Sequence, residues 1–236
     1  MKNKKVDLLT NHKIILEMFD NLNSILEGRI DCYYTGGAML FILNNIALKR
    51  YHADLDLFVN ENQLFELKRI IDSDKRFTMI SNLCKKGVNG HEYKIFYNQF
   101  PISVGIFLFE RKNDNIIVTK KYYYDKLNEN DLFVDERHFN SEYTRLVFNN
   151  HIFIKNGNIY KAVSQEFIYF SKLNIKESRP KDVYDINFMQ QNVNIDYDLL
   201  ENIKKEKSKK VDIIHIKADK STVFYFDSFI NNNFIS

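Results

Sequence analysis

Two short segments of this sequence carry residue types that suit phosphate and metal chemistry. Thr35-Gly36-Gly37 is followed, about one helix-length later, by Asp54-Leu55-Asp56-Leu57-Phe58. Adjacent glycines can bring backbone N–H groups against a phosphate at the start of a helix. Side chains alternate faces along a strand, so Asp54 and Asp56 are expected to point the same way. Two carboxylates opposite a phosphate-binding turn are what a magnesium–nucleoside triphosphate site requires.

The elements around these segments follow from hydrophobic periodicity. Apolar residues recur at three- and four-residue steps before the glycines, which predicts an amphipathic helix. Alternating polarity around the two aspartates predicts a strand with one buried face. In order, we expect a helix over 6–27, a strand over 30–34, a helix over 38–48, a strand over 52–59, a helix over 61–71, and strands over 77–83, 92–97 and 102–109.

The C-terminal half has a different pattern. Asn156-Gly157 lies between two short apolar runs and predicts a β-hairpin. Helical character begins at Ala162, with Val163, Phe167, Phe170 and Leu173 in one stripe, and Pro180 suits the first position of a second helix. A third helix is expected over 195–207, capped by Asp196. The tail beyond 211 fits no class.

These patterns predict an α/β (α+β) fold, a mixed sheet with flanking helices and a mainly helical C-terminal lobe. We expect an α/β domain over 1–120, connecting strands over 121–161 and the helical lobe over 162–236. A cleft between two such lobes is a natural ligand site.

Composition excludes several classes of protein. The chain has 236 residues, a formal net charge of +3 and two cysteines. That charge is too small to indicate nucleic-acid binding, and the basic run at 204–210 is typical of a solvated helix end. Two cysteines form no disulfide framework, and we expect Cys32 to be buried. The longest apolar run, 38–43, is too short to span a membrane, and the N-terminus lacks a signal-peptide pattern. We therefore expect a cytoplasmic protein.

The order strand, Gly-Gly, helix, basic residues and Asp-x-Asp resembles the DNA polymerase beta-like nucleotidyltransferase superfamily. The segment that carries the resemblance is GGAMLFILNNIALKRYHADLDLF. The resemblance implies that Gly36 and Gly37 hold a triphosphate through backbone N–H groups, with a hydroxyl contact from Thr35. It further implies that Asp54 and Asp56 bind one or two Mg²⁺ ions.

Two residues before the carboxylates have more than one interpretation. Arg50 suits a phosphate, since a guanidinium binds phosphate bidentately, and it equally suits a surface salt bridge. His52 fits a polar residue at a strand edge better than a ligand.

The resemblance also implies a third carboxylate on a later strand, where this chain has Ser103. A serine hydroxyl cannot serve as a base near neutral pH. Glu92 on the neighbouring strand, or Glu110 at the end of the Ser103 strand, are the substitutes that the sequence offers.

A second resemblance lies in Lys172-Leu173-Asn174 and Ser178-Arg179-Pro180-Lys181-Asp182-Val183-Tyr184-Asp185-Ile186. It is similar to a segment of minimal nucleotidyltransferases, which include abortive-infection toxins and antibiotic-modifying enzymes. By that resemblance Lys172 contacts phosphate, and Asp182 or Asp185 closes the site. Alternatively, Asp182 only stabilises a helix N-terminus, while Lys172 and Asp185 are exposed.

Together these resemblances imply transfer of a nucleoside monophosphate from an NTP, most readily ATP, to a hydroxyl acceptor. The acceptor is either a small hydroxylated molecule, such as an antibiotic, or a tRNA or protein in a toxin-like role. The alternative, motivated by Ser103, is a catalytically degenerate module of the same fold that binds a nucleotide or a partner.

Overall fold

A computed structural model gives the structure of the chain. It describes residues 6–81, 93–98, 100–113, 116–124, 131–149, 152–155, 157–175, 179–209, 213–218 and 230. The helices of this part are α1 (Leu8–Leu26), α2 (Gly37–Leu43), α3 (Leu64–Asp72), α4 (Ser141–Thr144), α5 (Gln165–Leu173), α6 (Pro180–Asn192) and α7 (Tyr197–Ser208). Within these ranges, no helix has the length and apolar character needed to cross a bilayer.

The main sheet is mixed, as the sequence predicts. Its strands are β1 (Cys32–Thr35), β2 (Asp54–Asn60), β3 (Phe77–Ser81), β4 (Tyr93–Tyr97), β5 (Ser103–Asn113), β6 (Ile116–Tyr124), β7 (Leu132–His138) and β10 (Ile213–Lys217). The main path is β1-β2-β5-β6-β7-β10, and β3 pairs with β4, which in turn pairs with β5. β2 and β5 are parallel, and the other pairs are antiparallel. The Asp-x-Asp strand, β2, therefore lies between β1 and β5.

The expected hairpin is also present. β8 (Ile152–Lys155) and β9 (Asn158–Lys161) pair antiparallel as a separate two-stranded sheet. Its inner face packs Phe153 against Phe19 of α1, while Ile152 and Ile154 are exposed on the outer face.

Helix α1 covers the face of the sheet opposite the two aspartates. Asp7 caps it by accepting a hydrogen bond from the Thr10 backbone N–H at 3.0 Å. Ile15, Met18 and Leu22 are fully buried. Leu8 and Leu9, in the first turn of the helix, are exposed.

Helix α2 is shorter than predicted. It ends at Leu43 rather than near 48, because Asn45 adopts a positive φ of 53°. A left-handed residue after the last turn is a common way for a helix to stop, and asparagine tolerates that conformation. The residues from Asn44 to Ala53 then form the loop that carries Arg50 and His52 to β2.

The C-terminal helices match their expected boundaries within a few residues. Pro180 is the first residue of α6, and Asp196 caps α7 by accepting a hydrogen bond from Leu199 N–H at 2.9 Å. The sequence pattern beyond 211 predicts no element, whereas the structure has β10 there, paired with β7. Cys32 is buried, as expected.

Candidate active site

The first glycine of the pair lies directly against the second aspartate of the Asp-x-Asp segment. A Cβ atom added to Gly36 would lie 2.2 Å from Asp56 Oδ2. Gly36 also has a φ of 85°, which residues with side chains rarely adopt. Thr35 pairs with Asp56 across β1 and β2, and its side chain therefore lies on the same face. The glycine turn and the carboxylates thus form one site.

The second glycine faces the helical half of the chain. A Cβ atom on Gly37 would lie 2.8 Å from Arg50 Nη2, 2.9 Å from Asp185 Oδ2 and 3.4 Å from Lys172 Nζ. The absence of a side chain at Gly37 is what lets α2 begin beside these charged groups. The structure thereby brings Gly37 and Arg50 of the first segment beside Lys172 and Asp185 of the second, although these residues are up to about 150 positions apart.

The charged groups beside Gly37 form a continuous ion-pair network. Arg50 donates from Nε to Asp185 Oδ1 at 2.7 Å and from Nη2 to Oδ2 at 2.6 Å. Lys172 Nζ lies 2.7 Å from Asp185 Oδ2 and 3.0 Å from Asp182 Oδ1. Arg179 Nε donates to Asp182 Oδ2 at 2.6 Å. Three cations thus share two carboxylates, which leaves one positive charge in excess.

Burial tests one part of the alternative interpretation of this segment, the exposure of Lys172 and Asp185. Asp182 and Asp185 are both 0% exposed, and Lys172 is 9% exposed. The alternative in which Lys172 and Asp185 are exposed is therefore wrong. Arg50 forms a salt bridge, but with a fully buried partner rather than at the surface.

The network holds both carboxylates in the charged form. Burial raises the pKa of Asp185, but hydrogen bonds from Arg50 and Lys172 outweigh it and bring that pKa below its usual value. The pKa of Asp182 is lowered in the same way, where burial is outweighed by Arg179 and Lys172. A general base works best with a pKa near the working pH, so this electrostatic setting favours an orienting role for both aspartates.

Arg179 links the ion-pair network to the Asp-x-Asp strand through its electrostatic interaction with Asp54 and Asp56. The sequence analysis gives this residue no role. Its pKa is raised, first by the hydrogen bond to Asp182 and further by the charges of Asp54 and Asp56. Its side chain is 56% exposed, unlike the buried Lys172. Arg179 lies three residues before Asp182 in the sequence. That spacing suits an ion pair along a helix and could have predicted the contact between the two side chains.

His52 is buried rather than at a polar edge. It is 2% exposed, and its ring lies edge-on to Phe41. Burial, together with the charge of Arg50, lowers the pKa of His52 to about 3, so the ring is neutral near pH 7. Asn11 of α1 fixes its backbone, donating to His52 O at 2.8 Å and accepting from His52 N–H at 3.0 Å. Asn11 therefore anchors the loop that leads into Asp54.

Ser103 occupies the position beside the Asp-x-Asp segment where the resemblance implies a third acid. It is the register partner of Asp54 across the parallel β2–β5 pair, so both side chains lie on one face. Glu110 cannot substitute for that acid. It lies seven residues further along β5, about 23 Å away at the rise of a strand, and forms ion pairs with Lys112 and Lys120 at 2.7 and 2.9 Å. Glu92 lies outside the described residues.

The donor set of Asp54 and Asp56 fits Mg²⁺. Both carboxylates are half-buried and project from the same face of β2, where the burial pattern alternates. Mg²⁺ is usually held by one or two carboxylates together with substrate phosphates rather than by an all-protein cage. Among the described residues there is no cluster of three or more His, Cys, Asp and Glu side chains that could hold a metal ion.

No protein-family model matches this sequence, and no curated protein matches it. Among solved structures, the chain is similar to the crystal structure of ANT(2")-Ia in complex with adenylyl-2"-tobramycin. The TM-score is 0.53 at 8% sequence identity, and the match covers 83% of this chain and 98% of that one. The lincomycin-bound crystal structure of the lincosamide antibiotic adenylyltransferase LnuA gives a TM-score of 0.47 at 12% identity, covering 82% and 100%. The likeness to ANT(2")-Ia shows the nucleotidyltransferase fold, and the predicted fold is confirmed.

Proposed function

We propose that this protein is a Mg²⁺-dependent nucleotidyltransferase that transfers a nucleoside monophosphate from an NTP, most readily ATP, to a hydroxyl acceptor. The observation that carries the proposal is the position of the Gly36–Gly37 turn. Gly36 lies against Asp56, and Gly37 lies against Arg50, Asp185 and Lys172. A phosphate chain placed over this turn would meet metal-binding oxygens on one side and cations on the other.

Each group has a distinct role in this proposal. Asp54 and Asp56 would hold Mg²⁺, which when bound supplies charge neutralisation at the phosphates. Backbone N–H groups of the glycine turn, with the Thr35 hydroxyl, would orient the triphosphate. Lys172 would contact a phosphate oxygen, which the excess positive charge of the network favours.

Asp185 and Asp182 serve the same site indirectly. Each is fully buried and bound to two cations. We expect Asp185 to fix the direction of Arg50 and Lys172, so that both cations are in place before the nucleotide binds. Preorganised charges of this kind stabilise the charge that develops during phosphoryl transfer without further rearrangement.

The test is ATP binding with Mg²⁺, measured by calorimetry, together with pyrophosphate release. The variant Asp54→Ala/Asp56→Ala should lose both, whereas Asp198→Ala, an exposed carboxylate on α7, should keep both. Unchanged binding and turnover in the double variant would refute the assignment.

The acceptor is a separate question. The fold shared with ANT(2")-Ia, whose structure holds an adenylylated aminoglycoside, favours a small hydroxylated acceptor for this chain. A tRNA or protein acceptor is tested by expression in cells. Growth arrest that Asp56→Ala relieves would indicate the toxin-like role, and drug resistance that the same change abolishes would indicate an antibiotic acceptor.

A second candidate function rests on Ser103. Its register opposite Asp54 leaves the expected third acid absent at that point, which favours a degenerate module that binds a nucleotide or a partner without turnover. Ser103→Asp distinguishes the two. Large activity gained from none supports the degenerate module, while strong wild-type turnover excludes it.

A further inference from the structure

The face of the sheet that carries Asp54 and Asp56 continues from β2 onto β5 and β4. Asp56 is the register partner of Gly105 on β5, and Gly105 is the register partner of Lys94 on β4. Directly paired residues of neighbouring strands project from the same face, so Asp56 and Lys94 lie in one row across the sheet. Two strand spacings, about 10 Å, separate them, and Gly105 adds no side chain between them.

The same face is partly open to solvent on this side of the Asp-x-Asp strand. Residues of β4 alternate between buried and half-buried, and the half-buried ones are Lys94 and Phe96. On β5, Ser103 is half-buried and is the register partner of Phe96, while Phe107 is 39% exposed. These four side chains form a surface beside the Asp-x-Asp carboxylates, which we call the β4–β5 surface.

The geometry of nucleotidyl transfer assigns this surface to the acceptor. The acceptor oxygen forms a bond to the α-phosphorus and its hydroxyl proton passes to solvent, while the bond from the α-phosphorus to pyrophosphate breaks. The attacking and leaving oxygens lie roughly in line, on opposite sides of the phosphorus. Pyrophosphate over the glycine turn would lie beside Arg50 and Lys172, on the β1 side of β2. The acceptor therefore approaches from the other side of β2, where β5 and β4 lie.

The charge of the β4–β5 surface indicates which acceptors suit it. Lys94 is its only charged residue, and the register partners of Lys94 in the described strands, Ile80 and Gly105, are uncharged. Asp54 and Asp56 would be neutralised by Mg²⁺ in the proposed function. A cationic acceptor would thus find a lysine and no carboxylate on this surface, whereas an anionic group would find a cation to pair with.

We propose that the acceptor carries a negatively charged group that binds Lys94 and a ring that packs against Phe96, in addition to the hydroxyl that reacts. This inference rests on the proposed function, because it names the substrate class of the same site. The spacing of the strands puts the negative charge within about 10 Å of the reacting hydroxyl. Small acidic hydroxyl compounds fit this description, and polycationic aminoglycosides do not.

The probes are three phenols of similar size that differ in charge. 4-Hydroxyphenylacetate is an anion, 4-hydroxyphenylacetamide is its neutral counterpart, and tyramine is a cation. Each is titrated into the full chain saturated with Mg²⁺ and α,β-methylene-ATP, which cannot release pyrophosphate, and binding is followed by ligand-observed NMR. We expect the wild type to bind the anion about three- to tenfold more tightly than the amide, as for a partly exposed ion pair, and tyramine most weakly.

Variants of Lys94 test whether this residue causes the preference. Lys94→Met should bind the anion and the amide equally, and Lys94→Glu should bind tyramine more tightly than the anion. Lys13→Met is the control, because Lys13 is an exposed lysine of α1, the helix on the opposite face of the sheet, and this variant should keep the wild-type preference.

Calorimetry with Mg²⁺ and α,β-methylene-ATP separates this inference from the proposed function. If the analogue does not bind the wild type, the proposed function fails and this inference fails with it. If the analogue binds but the anion shows no saturable binding, or its preference is absent or persists in Lys94→Met, only this inference is overturned. Weaker binding of the analogue to Lys94→Met with an unchanged charge preference would mean that Lys94 contacts the triphosphate, which also overturns it.

Discussion

Arg50 binds Asp185 through two parallel hydrogen bonds, from Nε at 2.7 Å and from Nη2 at 2.6 Å. The two residues are 135 positions apart, so this pair joins the loop before β2 to helix α6. It also places the guanidinium beside Gly37. One ion pair thus connects the Asp-x-Asp half of the site to the Lys172 half.

Removing the charge of Asp185 should destabilise the protein strongly. In Asp185→Asn, Arg50 loses its carboxylate and Lys172 keeps only Asp182. Breaking a buried pair typically costs about 3–5 kcal/mol, and we expect a loss near the lower end because Arg50 retains partial solvent contact. Urea denaturation of the wild type and of Asp185→Asn measures this loss in the free energy of unfolding. The control is Glu142→Gln, which breaks an exposed pair with Arg145 and should have little effect. Equal effects of the two changes would contradict a buried network.

The contribution of Asp185 should depend on pH in a defined direction. Its pKa in the folded protein lies below the ordinary value of 3.8. The unfolded chain therefore takes up the proton first as pH falls, and stability is lost in that acid range. The stability difference between wild type and Asp185→Asn should be constant from about pH 7 to 5 and shrink below about pH 4. Denaturation curves at several pH values measure this difference in the free energy of unfolding. A difference that grows as the pH falls would contradict a lowered pKa of Asp185.

The glycine turn and the Asp-x-Asp strand were predictable because their signals are local. Two adjacent glycines in a chain with few of them, and alternating polarity around Asp54 and Asp56, do not depend on distant residues. The Pro180 start of α6 and the Asp196 cap of α7 are local in the same sense.

The ion-pair network could not be predicted in the same way. Aspartate and lysine are usually exposed, so sequence alone left Lys172 and Asp185 open between a site and a surface. Their burial follows from the packing of α5 and α6 against α2. The pairing of β10 with β7 likewise depends on strands about 80 residues apart along the chain.

The Gly36 position should accept no side chain. In Gly36→Ala, the new Cβ would meet Asp56 Oδ2 at 2.2 Å, and the φ of 85° would be strained. Gly157→Ala is a matched control, because Gly157 has a similar φ of 82° and nothing within 4 Å of the added atom. The control should lose about 1–2 kcal/mol from backbone strain alone. Gly36→Ala should lose about 1–3 kcal/mol more from the clash, together with ATP binding. Equal stability losses would show that the contact with Asp56 has no energetic effect.

Lys172 should contribute to nucleotide affinity more than to folding. In Lys172→Met, Asp182 keeps Arg179 and Asp185 keeps Arg50, so each buried carboxylate retains one cation. Hydrogen bonds to charged groups are worth about 1.5–3 kcal/mol, which corresponds to a loss of ATP affinity of about ten- to a hundredfold.

Lys68→Met provides the control for that measurement. Lys68 is also buried, at 3% exposure, and its partner is Asp72 within α3. Both variants remove a buried lysine that is bound to carboxylate, so both should lower the free energy of unfolding. Only Lys172→Met should weaken the binding of ATP with Mg²⁺ in calorimetry. If the two variants bind ATP equally well, Lys172 makes no phosphate contact and serves only to join α5 to α6.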